Sequence, residues 1–238
     1  IYADGVVQGD VVNGNLVLKG YGDPRLTLEN FWLMLRELRA RGVREIRGDL
    51  VLDRNYFARD DVDPANFDNE PTRPYNTPPD ALLVNFKAVR LQFIPDAARR
   101  TLRIAAEPAL PQVQILSNIT LDNEPCDDWL GRLKLTALGD GASARLLFSG
   151  NYSAACGEKD RNYSLLGHAQ YVHALFTQLW RELGGTFDGG VRDAGTPRND
   201  SILRLPTTET NLRWASKHVK LAKKSSAPLA RLQEEIER

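Results

Sequence analysis

One proline-rich loop offers the groups best placed to bind something. In Glu70-Pro71-Thr72-Arg73-Pro74-Tyr75-Asn76-Thr77-Pro78-Pro79-Asp80, Glu70 supplies a carboxylate and Tyr75 a phenol, and the apolar run Ala81-Leu82-Leu83-Val84 follows at once. The four prolines fix their own φ and bias the residues before them towards extended backbone. Binding groups are commonly carried by loops on a rigid scaffold; a surface connector with solvated charges is the alternative reading of the same residues.

Covalent chemistry has no complete apparatus here. Serine acyl transfer needs an activated hydroxyl, a base and an oxyanion hole. The chain contains no Ser-x-x-Lys, no Lys-Thr-Gly or Lys-Ser-Gly and no G-x-S-x-G elbow. Ser149-Gly150-Asn151 fits Ser-x-Asn literally, but at the end of an expected strand it reads as a chance tripeptide. His168 and His173 are five positions apart, hence on different faces of one helix, which is poor geometry for a shared metal. Asp60, Asp61, Asp63, Asp68 and Glu70 lack the alternation and glycine of a calcium loop, since Ala65 and Asn66 fall in the wrong places. Gly20-Tyr21-Gly22 fails as a dinucleotide fingerprint at Arg25. No cofactor is expected.

Cys126 and Cys156 are the only cysteines. They lack C-x-x-C spacing and a nearby histidine, so a disulfide is preferred over a zinc site or a nucleophilic thiol. Such a bond implies an oxidising compartment, the periplasm or outside the cell.

The 238 residues carry 31 Lys+Arg against 31 Asp+Glu, so the formal net charge is zero and no nucleic-acid footprint is expected. No run of about 20 apolar residues is present to span a bilayer. Ile1 is not a natural start, so the chain reads as a mature protein or an excised piece.

Residues 11–19 read as a strand after an Asn-Gly turn. Thr27 is placed to cap a helix with Leu28, Phe31, Trp32, Leu35 and Leu38 on one face, stopped at Gly42. Ile46 to Leu52 is the next strand, which makes a strand–helix–strand unit. From Leu83 the texture changes to short strands: Leu83–Ile94, Thr101–Ala105, Gln112–Leu116, Arg132–Leu138 and Ala144–Ser149, the last two joined by a Gly-Asp-Gly hairpin. A second helix runs from Gly167 to Leu183 with Tyr171, Val172, Leu175, Phe176 and Leu179 inward. Ser201–Leu205 is expected as a strand, residues 206–224 as a basic linker and Ala227–Arg238 as a helix start. The fold class is therefore α+β, with residues 1–85 and 162–205 as a discontinuous α/β domain. A small antiparallel β-rich domain, 86–161, is nested within it, and 206–238 is a linker leading elsewhere.

Several stretches together resemble the class C low-molecular-mass penicillin-binding D-alanyl-D-alanine carboxypeptidase/endopeptidase family. They are Leu16-Val17-Leu18-Lys19-Gly20-Tyr21-Gly22-Asp23-Pro24, Arg41-Gly42-Val43 through Ile46-Arg47-Gly48-Asp49-Leu50, Tyr75 through Pro78-Pro79 to Val84-Asn85, the Cys126/Cys156 pair, and Ser226-Ala227-Pro228-Leu229. The resemblance implies an extracytoplasmic bacterial enzyme trimming peptide cross-links of peptidoglycan. It further implies that Ser-x-x-Lys lies before this portion, with Ser-x-Asn and Lys-Thr-Gly after it. The chain would then be inserted, non-catalytic structure, inactive alone. Its partners would be the stem peptide, the acyl-serine domain absent from this chain and, only through that domain, β-lactams. Glu70 and Tyr75 match an acidic residue five positions before an aromatic one that binds the free amino end of the diaminopimelate side chain. A carboxylate pairs with an ammonium and an aromatic face covers its aliphatic stem. The chain departs from the family in having Glu70 for the usual Asp, and Asp80 and Asn85-Phe86-Lys87 where Ser and Asn-Glu-Asn are frequent. The competing function is a structural or protein-interaction module with no substrate role.

Overall fold

The structure, a computed structural model, describes residues 1–58 and 62–197. The expected strand at 201–205, the basic linker and the final helix lie outside the described residues, as do Asp60 and Asp61.

The chain opens with a hairpin of β1 (Tyr2–Gln8) and β2 (Val11–Lys19), Gln8 opposite Val11. The reversal is at Gly9-Asp10, so Asn13-Gly14 is no turn, contrary to the sequence expectation. Gly14 lies inside β2 directly opposite Gly5, and a Cβ on it would stand 2.2 Å from the Asp4 carbonyl oxygen. The glycine that reads as a turn residue is there for close backbone approach.

Helix α1 (Leu28–Ala40) starts where the Thr27 hydroxyl accepts from the Asn30 amide, and it buries Phe31, Leu35 and Leu38. Gly42 follows at φ 96°, the left-handed stop expected of it. The chain returns as β3 (Glu45–Ile46) and β4 (Leu50–Asp53), both parallel to β2. The expected single strand is thus broken at Arg47-Gly48-Asp49, yet the register holds: Val12 faces Ile46 before the gap and Leu16 faces Leu50 after it.

After the long loop come β5 (Ala88–Asp96), β6 (Thr101–Glu107), β7 (Val113–Asp122), β8 (Leu133–Gly139), β9 (Ala144–Ser153) and β10 (Lys159–Ser164). The first of these starts five residues later than the hydrophobic run implies. Asn85, Phe86 and Lys87 hold φ of 47°, 51° and 54°, a left-handed turn that no strand can include. One sheet has the order β10-β5-β6, wholly antiparallel; the other has the order β7-β9-β8. The β8–β9 hairpin is antiparallel as expected, but β7 runs parallel to β9, so this region is mixed rather than antiparallel. Side-chain alternation marks which face of a strand is buried and says nothing of its partner's direction.

Between these two sheets Phe93 meets Trp129 and Phe148 edge-on, each at 5.4 Å, and Tyr152 donates to the Gly157 carbonyl at 2.7 Å. The Cys126–Cys156 disulfide links the loop after β7 to the 3-10 turn after β9 across 30 positions.

Helix α2 (His168–Glu182) buries Tyr171, Val172, Leu175, Phe176 and Leu179 as expected, and Trp180 as well. Arg39 of α1 donates to the Leu183 carbonyl at 3.0 Å and lies over the Trp180 ring, joining the two helices. The short strands β11 (Thr186–Phe187) and β12 (Val191–Asp193) then add in parallel beside β3 and β4. The fold is α+β. No described helix is long and apolar enough to cross a membrane.

Candidate functional site

The proline loop leaves the sheet at the carboxyl end of β4 and is anchored at several points before it reaches β5. At its near end, Arg54 forms a bidentate pair with Asp193 of β12, at 2.8 and 2.7 Å, and also binds Asp80; its side chain is 11% exposed. Asp80 turns the chain inward by accepting from the Leu82 amide at 2.8 Å. In the middle, the Ser164 amide of β10 donates to the Thr72 carbonyl at 2.7 Å, and the Thr77 hydroxyl reaches the Ser164 hydroxyl at 3.2 Å. The stiffness inferred from the prolines is thus joined to the sheets on both sides.

Within the loop, Asp68 is the centre. Its carboxylate accepts from the Tyr75 hydroxyl at 2.5 Å, the Asn76 side-chain amide at 2.6 Å and the Glu70 backbone N–H at 3.0 Å. These bonds, the phenol's first, hold the Asp68 carboxyl below the usual carboxylate range, and the same bond raises the Tyr75 phenol above its ordinary value. Tyr75 stays 66% exposed even so. Glu70 is brought close to Tyr75 but turned aside: its carboxylate pairs with Arg73 at 2.7 Å. Asn76 also donates to the Glu70 carbonyl, at 3.0 Å.

Sequence reasoning singled out Glu70 and Tyr75 and passed over Asp68. A signal existed: an Asp two residues before a free amide, here Glu70 N–H, is the pattern of an Asx turn. Nothing in spacing marks the bond to Tyr75, seven residues on.

Several other titratable groups, among the described residues, are shifted by burial. His168 opens α2 with its Nε2 3.5 Å from Asp80 Oδ1; burial, opposed by Asp80 and reinforced by Arg54 and Lys87, pushes its pKa down to about 4. His173 contacts the Gly189 carbonyl at 2.9 Å. Burial likewise pushes Lys87 down and pushes Tyr163, close to the Glu70–Arg73 pair, up to about 12. Ser149-Gly150-Asn151 is an ordinary segment of β9, Ser149 opposite Lys134 and Asn151 opposite Thr120. A groove of about 360 Å³ beside the β8–β9 turn is lined by Pro111, Gln114, Leu138, Asp140 and Arg145. It does not include Glu70 or Tyr75.

The model of the D-Ala-D-Ala carboxypeptidase 3 (S13) family matches residues 1–235. The chain belongs to that family. Over 81 residues it is 36% identical to the D-alanyl-D-alanine carboxypeptidase DacB of Haemophilus influenzae, a match covering 34% of this chain and 17% of that protein. The crystal structure of penicillin-binding protein 4 (dacB) from H. influenzae superposes with a TM-score of 0.64 at 22% identity, over 85% of this chain and 44% of that one. The same protein complexed with a novel β-lactam gives a TM-score of 0.57 at 20% identity, over 85% and 42%. The chain thus spans less than half the length of the relatives it matches. The family assignment agrees with the resemblance in the sequence, and the superpositions show a shared α+β fold.

Proposed function

We infer that this S13-family chain is the inserted recognition and structural region of a serine-type D-Ala-D-Ala carboxypeptidase/endopeptidase acting on peptidoglycan stem peptides. The acyl-serine motifs lie outside these residues. In this reading residues 1–85 and 162–205 make one discontinuous domain, 86–161 a nested one, and 206–238 lead back towards the catalytic domain. The loop of Glu70 and Tyr75 forms a lip over that domain's cleft and takes the ammonium of a diaminopimelate side chain. The parent enzyme works outside the cytoplasm, in the oxidising setting that a Cys126–Cys156 disulfide suits.

The observation that carries the reading is the Glu70–Asp68–Tyr75 group itself. Two carboxylates and one phenol are held at the surface by a loop tied to the sheets on both sides, with Arg73 paired to Glu70 among the described residues. An anionic, partly aromatic patch of this kind suits an ammonium on an aliphatic stem.

The same geometry also favours a second reading. Because Glu70 already has a partner in Arg73, the loop is also self-sufficient as a purely structural element. Two measurements separate the readings. Intact mass after incubation with a labelled penicillin should show no adduct on this chain; a one-to-one acyl adduct would sink the claim that the chemistry lies outside it. Titrating a diaminopimelate-containing muropeptide against the full-length enzyme and its Glu70→Ala variant should show weaker binding in the variant. Unchanged affinity and unchanged kcat/KM leave only the structural role.

A further inference from the structure

The Asp68–Tyr75 bond has a consequence for what the lip can accept. A phenol carries one hydrogen and two lone pairs. In this structure the hydrogen is committed to Asp68 Oδ2 at 2.5 Å, while the ring is 66% exposed. The lone pairs that remain can only accept. Beside them stand the Asp68 and Glu70 carboxylates, also acceptors, and, among the described residues, the Arg73 guanidinium, already engaged by Glu70 at 2.7 Å. Asp68 is itself fixed by two further donors, the Asn76 amide at 2.6 Å and the Glu70 N–H at 3.0 Å, so it does not turn to release the phenol.

We propose that Asp68 is a positioning and specificity residue of the lip: it locks the Tyr75 ring and makes its oxygen acceptor-only, so that the lip takes a ligand's ammonium and disfavours a carboxylate in the same place. This rests on the reading of Glu70 and Tyr75 as a stem-peptide subsite, and adds a residue that reaches the ligand only through Tyr75. The Asp68 carboxyl, held ionised below its usual range, and the phenol, held protonated above its own, keep the polarity of the bond fixed through neutral pH. An Asn in place of Asp68 could donate to the phenol oxygen instead, leaving the Tyr75 proton free to point at the ligand.

The test uses full-length enzyme and two stem-peptide substrates. One carries diaminopimelate; the other carries 2-aminoheptanedioate, which lacks the terminal ammonium. The readout is the ratio of their kcat/KM values. Asp68→Asn should lower the preference for the ammonium peptide about fivefold, the worth of one hydrogen bond. Tyr75→Phe should lower it by a similar factor, and the double variant should lose no more than either single one. The Tyr75 titration, taken as phenolate absorbance minus that of Tyr75→Phe, should shift to lower pH in Asp68→Asn. An unchanged ratio in Asp68→Asn, an unmoved titration, or losses that add in full in the double variant would each overturn the proposal. Should Asp68→Asn not fold, retention of the preference by Tyr75→Phe overturns it alone. Failure of the underlying reading is a different result: Glu70→Gln would keep the wild-type ratio.

Discussion

The Asn85 side-chain amide donates to the Tyr171 hydroxyl at 3.0 Å, and that hydroxyl donates in turn to the Ala88 carbonyl at 2.8 Å. The relationship holds together three parts of the fold. Asn85 also donates to the Ala88 carbonyl at 3.1 Å and accepts from the Leu28 amide at the start of α1 at 3.3 Å. It therefore links both helices to the entry of β5. It also opens the left-handed turn of residues 85–87, a conformation that costs roughly 1–2 kcal/mol per non-glycine residue and that Asn tolerates better than most.

Asn85→Ala should consequently lower stability by about 2–3 kcal/mol, since it leaves a buried hydroxyl and a helix amide short of partners and worsens the left-handed backbone. Urea unfolding at neutral pH measures this. A loss within about 0.5 kcal/mol, the size of an ordinary surface change, would show that the turn is held by its neighbours alone.

Arg54 gives a second prediction. It is 11% exposed between Asp80, itself 9% exposed, and Asp193. Removing one member of a buried ion pair strands the other, at about 3–5 kcal/mol. Arg54→Ala should cost an amount in that range and should loosen the proline loop, read as faster proteolysis within residues 62–80. Arg54→Ala with wild-type stability and wild-type cleavage would contradict the anchor.

Acid should destabilise the fold through His168. Its folded pKa is about 4 against an ordinary 6.5, so between those pH values the unfolded chain binds more protons than the folded one, and stability rises with pH. The stabilisation is present above the unfolded pKa and is lost as pH falls towards about 4, on the order of 3 kcal/mol. The groups facing the ring are Asp80, Arg54, Lys87 and the Leu82 backbone. His168→Gln should flatten the urea midpoint between pH 7 and pH 4.5; an undiminished slope assigns the effect to other groups.

The disulfide closes a span of 30 positions. Replacing both cysteines by Ala should lower stability by about 3–4 kcal/mol in the chain-entropy account. Hydrogen exchange should then show the loss of protection concentrated in β7, β8 and β9. A uniform loss, with β2 and β4 affected equally, would mean that the two regions unfold as one unit.

How much of this was readable in the sequence depended on how far apart the cooperating residues lie. Both helices were legible because Phe31, Leu35 and Leu38, and then Tyr171, Leu175 and Leu179, repeat at helical spacing. Strands β11 and β12 were not, because two or three residues cannot display a period. Asn13-Gly14 was misread because the same dipeptide serves a turn and a close strand contact. Leu83 to Lys87 was misread as strand because apolar content does not reveal a left-handed turn. For the candidate site, Glu70 and Tyr75 were legible as a carboxylate and a phenol in one stiff loop. Their actual partners, Arg73 and Asp68, were not, since side-chain pairing inside an aperiodic loop leaves no pattern in composition.

The strand register carries one more implication, for the order of assembly. Ile46 lies beside both Val12 and Phe187, and Leu50 beside both Leu16 and Val191. The chain between Asp53 and Thr186 leaves the sheet from β4 and rejoins it at β11, on the opposite edge beside β3, before β12 returns to lie against β4. The last strands can seat themselves only when those intervening residues have contracted enough to bring both ends back to one sheet. Contacts so distant in sequence form slowly. Folding should begin separately in the β1–β2–α1–β4 segment and in the β5–β10 segment, with β11 and β12 zipping on last as the clasp that joins them.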